Sequence, residues 1–419
     1  MSNKIMDIIN AHQNKLCACG IVHETAIKDV QVGSGITKDV GEILKRNGFS
    51  KKLLVFCDKN TLKAAQGIED ALKDFDTEYK ILDDLRVATM EVVEMVQDLI
   101  KDREIDVLSV GTGSLNDPCR LACARENKKF AIYATAPSMD GFASYGAPIV
   151  NKGFKSTYPA KSPDVIIADT KVLAAAPASL KSAGFGDMIA KYTALVDWKI
   201  STLLIGEYWC DDVASITREA IDQLMSLADR VTVNDEETAG KIFEALLMTG
   251  IGMSYTKTSR PASGAEHVIA HLMECKEIAQ GIVPDFHGED VGVCTLEMLK
   301  YYNKLAELES IETRAETVDW NDVYDYYGPM AEDVRKLNEP TITEKVDPAV
   351  LKEKWQEIRQ IIRSVPDYET CKEAMVKAGC KITVSDIGKS QKFYDDCEKY
   401  SPYMRYRLTL LRLKDMIVY

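Results

Sequence analysis

Residues 106–126 read DVLSVGTGSLNDPCRLACARE, and the change of character halfway through this stretch decides the fold class. Asp106–Val110 is a short apolar run rich in branched side chains, the pattern of a buried strand. Gly111-Thr112-Gly113-Ser114 interrupts it, and Leu115–Glu126 resumes with apolar residues three and four apart, the period of a helix. A strand that ends in a glycine turn and opens directly into a helix is half of a βαβ unit. The same pattern extends outward. Strands are predicted at Leu53–Cys57, Tyr79–Leu82, Phe130–Ala134 and Val165–Ala168, with helices at Lys38–Arg46, Leu62–Phe75 and Met90–Asp102 between them. This alternation predicts a largely parallel sheet with helices on both faces.

From about Ser179 the pattern changes. Helices are predicted at Phe185–Leu204, Ser215–Arg230, Thr238–Thr249, Ala265–Gln280, Gly292–Leu308, Pro348–Ser364 and near Tyr403–Met416, and the only strand candidate is Lys381–Val384. The chain therefore divides into an α/β domain, residues 1–178, and an all-α domain, residues 179–419, with Pro177 and Gly184 at the break. A chain of 419 residues is in keeping with two domains of the usual ~100–200 residues each. Hydrophobic residues at 46% and charged residues at 28% fit a soluble globular protein. Lys plus Arg number 52 against 65 acids, a net charge of −13, which argues against nucleic acid or an anionic membrane as partner. Small phosphate ligands need only a local nest of amides and one or two cations, so they remain open. No apolar run approaches the ~20 residues of a membrane span, and the first 25 residues lack the apolar core of a secretory signal, so a cytoplasmic protein is expected. The eleven cysteines contain no C-x-x-C pair and are read as reduced thiols. Cys17 and Cys19 stand too close in sequence for an ordinary metal knuckle, and Cys119 with Cys123 lacks a second pair. The acidic stretch Glu307–Asp333 reads as a solvated face.

Open parallel sheets bind ligands outside the carboxyl ends of their strands. At one such end, the Gly111-Thr112-Gly113-Ser114 turn leads into a helix N-terminus that offers unpaired N–H groups and the positive end of the dipole to an anion, with a plain strand-to-helix turn as the alternative. Leu53–Cys57 ends in Asp58, which can accept hydrogen bonds from ribose hydroxyls and repel a 2′-phosphate. The acid precedes the glycine turn, the reverse of the usual dinucleotide fingerprint. Phe130–Ala134 opens into Thr135-Ala136-Pro137-Ser138-Met139-Asp140, followed by Ser144, three hydroxyls and a carboxylate suited to a polar ligand. Gly33-Ser34-Gly35 reads as turn chemistry.

Only five histidines are present, and His267, His271 and His287 fall close together in the helical half. His267 and His271 are four apart and share a helix face. His287 sits in a turn-like segment between Gly281 and Gly288. A carboxylate would complete a mixed set acceptable to Zn, Ni or Fe. Asp187, in Ala183-Gly-Phe-Gly-Asp187, is the candidate by context, with a first-turn capping acid as the alternative.

Five segments, Val110–Arg120, Thr135–Ser144, Gly184–Trp198, Ser263–His271 and Gly281–Val291, resemble the sn-glycerol-1-phosphate dehydrogenases, in wording closest to the bacterial branch at Ala136-Pro137-Ser138-Met139-Asp140. That family belongs with the iron-dependent alcohol dehydrogenases, glycerol dehydrogenases and dehydroquinate synthases. The match covers roughly residues 30–300 and thins beyond Lys300. It implies a Rossmann-like sheet domain followed by a helical metal-binding domain, dehydroquinate synthase-like in fold. It further implies that Asp187, His267 and His287 hold a divalent metal, Zn or Ni with Fe allowed, and that Asp140, Asp187 and His271 contact substrate and serve catalysis. Asp58, Gly113–Asp117, Thr135, Ala136, Pro137, Ser138 and Ser144 would bind NAD(H), with NADP(H) the alternative. The implied reaction is the reversible reduction of dihydroxyacetone phosphate to sn-glycerol 1-phosphate, in a homodimer or higher homo-oligomer. For the substrate phosphate, Lys152, Lys155, Lys161, Lys191 and Arg260 are candidates by charge alone. The rivals are a glycerol or polyol dehydrogenase, a dehydroquinate-synthase-like lyase, and a nucleotide-binding protein without catalysis.

Overall fold

The computed structural model describes residues 4–419. In chain order its strands are β1 (Asp29–Gly33), β2 (Lys52–Asp58), β3 (Asp76–Leu82), β4 (Asp106–Gly111), β5 (Phe130–Ala134), β6 (Gly146–Asn151), β7 (Phe154–Pro159) and β8 (Val165–Asp169), with a short antiparallel pair, β9 (Glu312–Thr313) and β10 (Ile417–Val418), in the C-terminal part. Six of them form one parallel sheet in the order β1-β8-β5-β4-β2-β3, and β6 with β7 forms an antiparallel hairpin. All five predicted strands are present. β1 and the hairpin went unpredicted for physical reasons. β1 is a sheet edge with little apolar content, and β6 and β7 carry Pro148 and Pro159, which depress strand signals. The hairpin turn is Lys152-Gly153, with φ of 50° and 82°, the two-residue type in which both positions are left-handed.

β2 is followed by β3 on one side, whereas β4, on the other side of β2, is followed by β5 in the opposite direction. The order reverses between β2 and β4, so the crevice for a ligand opens at their carboxyl ends. Cys57 pairs with Val110, which places Asp58 and the Gly111–Gly113 turn side by side at that crevice.

The helices of the first part are α1 (Lys4–His12), α2 (Val40–Arg46), α3 (Lys59–Ala64), α4 (Ile68–Ala71), α5 (Met90–Ile100), α6 (Gly113–Arg125) and α7 (Thr170–Ala175). The single helix predicted over Leu62–Phe75 is broken before α4, where Gly67 takes a φ of +92°. α6 starts at Gly113 rather than Leu115, so Pro118 lies past the first turn. Then follow α8 (Ala178–Ile205), α9 (Asp211–Met225), α10 (Glu236–Thr256), α11 (Ala265–Ala279), α12 (His287–Glu307), α13 (Trp320–Tyr327), α14 (Ala331–Asn338), α15 (Pro348–Glu353), α16 (Trp355–Arg363), α17 (Tyr368–Lys377) and α18 (Gln391–Tyr400). The strand considered at Lys381–Val384 is a turn, because the Asp386 carboxylate takes the N–H groups of Ile382 and Thr383. The helix predicted near Tyr403–Met416 is likewise absent as a continuous element. Its backbone is spent on distant partners: Leu410 N–H donates to Asp197 and Leu408 C=O accepts from Arg260.

Alternate residues of each inner strand face opposite layers, as the two-residue period requires. Leu53 and Val55 of β2 pack with Val40, Leu44 and Leu72 on one face. Leu54 and Phe56 join a second core that continues into Met188 and Trp198 of α8 and Leu246 of α10. A third core gathers Ile269, Tyr302, Trp355 and Leu411, so the segment after residue 300 wraps α11 and α12. α8 is buried nearly all round, its charged Lys181, Asp187, Lys191 and Asp197 included, as befits a helix at the centre of the molecule. Among the described residues no helix is long and apolar enough to cross a membrane.

Candidate functional site

Asp187 lies well inside α8, not at its start, which removes the capping alternative. Two glycines let α8 reach its neighbours. A Cβ on Gly184 would sit 2.0 Å from Pro137 O, and one on Gly186 would sit 2.4 Å from Gly288 O. Asp187 is thereby wedged between the loop after β5 and the start of α12. His267 stands in the first turn of α11, and His287 is the first residue of α12. One donor atom from each of Asp187, His267 and His287 lies within 4.8 Å of the others. His267 Nε2 is 3.4 Å from Asp187 Oδ1.

Both imidazoles are held from behind by carboxylates. His267 Nδ1 lies 2.8 Å from Glu266 Oε1, and His287 Nδ1 lies 2.6 Å from Glu274 Oε1. A carboxylate on Nδ1 selects the tautomer that leaves the Nε2 lone pair facing the site. Glu266 is itself fixed, accepting from Thr193 Oγ1 at 2.8 Å and Gly264 N at 2.6 Å. Sequence reasoning missed both glutamates. Their signal was an acid adjacent to one candidate ligand, and another acid one turn beyond His271 on the same helix. Two backed imidazoles and one carboxylate fit a zinc, nickel or ferrous ion.

Asp140 N–H donates to Asp187 Oδ2 at 2.9 Å. Lys191, fully buried one turn after Asp187, places Nζ 2.5 Å from Asp187 Oδ1 and 2.7 Å from Asp140 Oδ2. Burial works against the lysine's charge, but Asp140 and Asp187 hold its pKa above the ordinary value. Asp187 stays below the carboxylate range despite burial, because Lys191 and His267 favour its anion. Burial and the Asp187 charge push Asp140 the other way. His271, half-buried, stacks against His287 at 5.2 Å. Desolvation, then the nearby Lys155 charge, pushes its pKa well below the ordinary value.

A cleft of about 610 Å³ runs from this cluster to the carboxyl edge of the sheet. Asp58, Gly113, Ser114, Leu115, Asp117, Thr135, Ala136, Ser138, Asp140 and His287 all line it. Asp187, His267 and His271 lie behind its wall beside Asp140 and His287, and so do three of the predicted cofactor residues. Asn116 is buried, accepting from Ser109 Oγ at 2.7 Å. Pro137 turns its carbonyl to Gly184. Ser144 Oγ accepts from Gly146 N at 3.1 Å. Asp58, buried, caps α3 by accepting from Thr61 N at 2.8 Å. Thr112 precedes α6 without a side-chain cap, so the first N–H groups of that helix are available at the cleft.

Arg120, also missed, is fully buried 2.5 Å from Asp117 Oδ1 and donates to the carbonyls of Gly141, Phe142 and Gly146. It ties the loop after β5 to α6. Burial raises the Asp117 carboxyl to about 6 even though Arg120 opposes the shift. Among the five cations considered, Lys155 lines the cleft, 2.5 Å from Glu274, and Lys191 is held by its two aspartates. Lys152 is exposed at the hairpin turn, Lys161 pairs with Asp164 at 3.1 Å, and Arg260 is buried against Glu207 at 2.7 Å. Arg405, from the C-terminal segment, donates to Lys155 O at 2.6 Å.

A family model described as iron-containing alcohol dehydrogenase matches residues 31–177. A glycerol-1-phosphate dehydrogenase (NAD(P)+) of Bacillus licheniformis is 30% identical over 404 residues, covering 95% of this chain and 91% of that protein. One of Thermococcus kodakarensis is 36% identical over 273 residues, covering 65% and 76%. The first alignment runs past residue 300, where the sequence motifs thin out. Among solved structures, the NADH-dependent butanol dehydrogenase A of Thermotoga maritima superposes with a TM-score of 0.63 at 16% identity, covering 94% of this chain and 92% of that one. Glycerol dehydrogenase of Schizosaccharomyces pombe gives 0.55 at 20% identity, covering 92% and 94%. These structures share the fold.

Proposed function

The chain belongs to the glycerol-1-phosphate dehydrogenase family, among the iron-containing alcohol dehydrogenases, and from that membership we propose that it catalyses the NAD(P)-dependent, reversible reduction of dihydroxyacetone phosphate to sn-glycerol 1-phosphate. The observation that carries the reading is the convergence of Asp187 and His267 on His287, which lines a cleft that also holds Asp58 and the N-terminus of α6. In this reading those three residues hold one divalent ion, with Glu266 and Glu274 fixing the imidazoles. When bound, the dinucleotide supplies the hydride and the ion supplies Lewis-acid polarisation of the ketone.

The remaining work falls to side chains. The first N–H groups of α6 receive the pyrophosphate, where a Cβ on Gly113 would press on Met139 at 3.2 Å. Asp58 meets the adenosine ribose and favours NAD(H) over NADP(H) by repelling a 2′-phosphate. Thr135, Ala136 and Ser138 line the path to the reacting centre, with Asn116, Pro137 and Ser144 supporting it from behind. Asp140 and His271 position the substrate hydroxyl groups, and His271 is the candidate for relaying a proton at the substrate oxygen. Lys155, held from behind through Arg405, meets the phosphate. The sheet part, residues 1–178, serves as the dinucleotide domain and residues 179–419 as the metal and substrate domain, in a cytoplasmic homo-oligomer.

The test is NADH consumption with dihydroxyacetone phosphate, dihydroxyacetone and glycerol compared side by side, followed by the chirality of the product. Preference for the phosphorylated ketone and a product inert to a glycerol-3-phosphate dehydrogenase is expected. Faster turnover of the unphosphorylated substrates would make the protein a polyol dehydrogenase instead.

A further inference from the structure

Cys17 and Cys19 are too close in sequence to make a metal knuckle by themselves, but the fold supplies what they lack. Sγ of Cys17, Cys19 and Cys210 and a ring nitrogen of His23 all lie within 4.8 Å of one another. Cys17 Sγ to Cys210 Sγ is 3.7 Å, Cys19 Sγ to His23 Nε2 is 3.5 Å, and Cys210 Sγ to His23 Nε2 is 3.4 Å. A tetrahedral zinc with Zn–S of about 2.3 Å and Zn–N of about 2.0–2.1 Å requires S···S near about 3.8 Å and S···N near about 3.6 Å. The observed separations are those of a tetrahedral shell. We propose that Cys17, Cys19, His23 and Cys210 bind a second divalent ion, of the zinc class, separate from the Asp187 cluster.

The backbone is shaped for this. Leu16 and Val22 form an antiparallel bridge, Cys17 N–H donates to Ile21 O at 3.0 Å, and Gly20 N–H donates to Cys17 O at 2.9 Å. Gly20, at a φ of +84°, closes a tight turn that puts both thiols on one side. Buried His23 places Nδ1 3.2 Å from Tyr255 O and stacks on the Tyr255 ring at 5.2 Å. That carbonyl takes the Nδ1 proton and leaves the Nε2 lone pair aimed at the thiols. Cys210 immediately precedes α9, where the positive helix end favours a thiolate. Tyr208 Oη lies 3.2 Å from Cys19 Sγ.

Four protein ligands leave no open position, so the ion is structural, and three thiolates select a softer metal than the nitrogen and oxygen set of the cleft. It fastens the N-terminal arm to the start of α9 and, through Tyr255, to α10. The arm's other anchor is α1, which buries Ile5 and Ile9.

The experiment is elemental analysis of the purified full chain, wild type and His287→Ala, together with alkylation of the native wild-type protein before and after chelation. Zinc is expected to remain at about one equivalent in His287→Ala, and that equivalent to be lost when Cys19→Ser is added to it. Cobalt-grown wild-type protein is expected to show the intense thiolate-to-cobalt charge-transfer band of a tetrahedral site, and His287→Ala to retain it. Cys17 and Cys19 should resist alkylation until a chelator is added. Metal-free His287→Ala, with Cys17 and Cys19 freely alkylated in untreated wild type, overturns the proposal. So does a Cys17–Cys210 disulfide found by mass spectrometry. The wild-type measurements decide the matter even if Cys19→Ser fails to fold.

Discussion

Replacing Gly184 by alanine sets two effects against each other. In an unhindered helix interior the change stabilises by about 1 kcal/mol, since glycine loses more backbone entropy on folding. In α8 the added Cβ would lie 2.0 Å from Pro137 O and 3.0 Å from the carbonyl carbon behind it. Both are backbone atoms, so helix and loop must part by about 1 Å to restore even a 3.0 Å contact. Overpacking of this kind costs about 1–3 kcal/mol, with the severe overlap pointing to the upper end, so it outweighs the helix gain. The same displacement stretches the 2.9 Å bond from Asp140 N–H to Asp187 and moves the loop that carries Thr135–Asp140. Misplacing reacting groups by about 1 Å costs on the order of 10²-fold in rate. The assay is kcat and KM for NADH oxidation by dihydroxyacetone phosphate at saturating metal, with a thermal melt alongside. A lower Tm and a kcat reduced by about 10²-fold are expected. A variant that melts above wild type and keeps kcat within about twofold would refute the close-approach reasoning.

Glu266→Gln keeps an acceptor for His267 but removes the charge behind it. Metal affinity, measured by chelator competition, should fall about 10- to 100-fold, and an unchanged affinity would strip Glu266 of its supporting role. Lys155→Met should raise KM for dihydroxyacetone phosphate by about 10- to 100-fold, the equivalent of a charged hydrogen bond of about 1.5–3 kcal/mol. The loss on dihydroxyacetone, which reflects only the broken Glu274 pair, should be much smaller, and equal losses on both substrates would rule out a phosphate contact. Asp58→Asn preserves the cap on α3 while removing a like charge that opposes a 2′-phosphate at a cost of several kcal/mol. The ratio of kcat/KM for NADPH to that for NADH should rise by about tenfold or more, and a constant ratio would place the ribose elsewhere.

The parts of the fold that were legible in the sequence are those whose burial is local and periodic. β2, β4 and β5 are buried along nearly their whole length and read as strands directly. β1, at the sheet edge, and the proline-bearing hairpin lack that signature. The C-terminal run from Tyr403 has leucines at helical spacing, yet its conformation is set by Asp197 and Arg260, far away in sequence. The same division holds at the site. His267 and His271 are marked by their spacing, and Asp58 and Gly113 by their positions at strand ends. Arg405 reaches Lys155 from 250 residues away, and Cys210 joins Cys17 across 193 residues. No local pattern carries such information.

The most direct measurement is NADH oxidation with dihydroxyacetone phosphate by protein whose Asp187 cluster has been emptied by a chelator, then supplied singly with zinc, nickel or ferrous ion. Turnover lost on removal and restored by at least one of the three, with sn-glycerol 1-phosphate as product, is the expected result. Undiminished turnover in the emptied protein, or none with any of the three ions while NADH still binds, would contradict the assignment of Asp187, His267 and His287 as the metal-holding centre of this reaction.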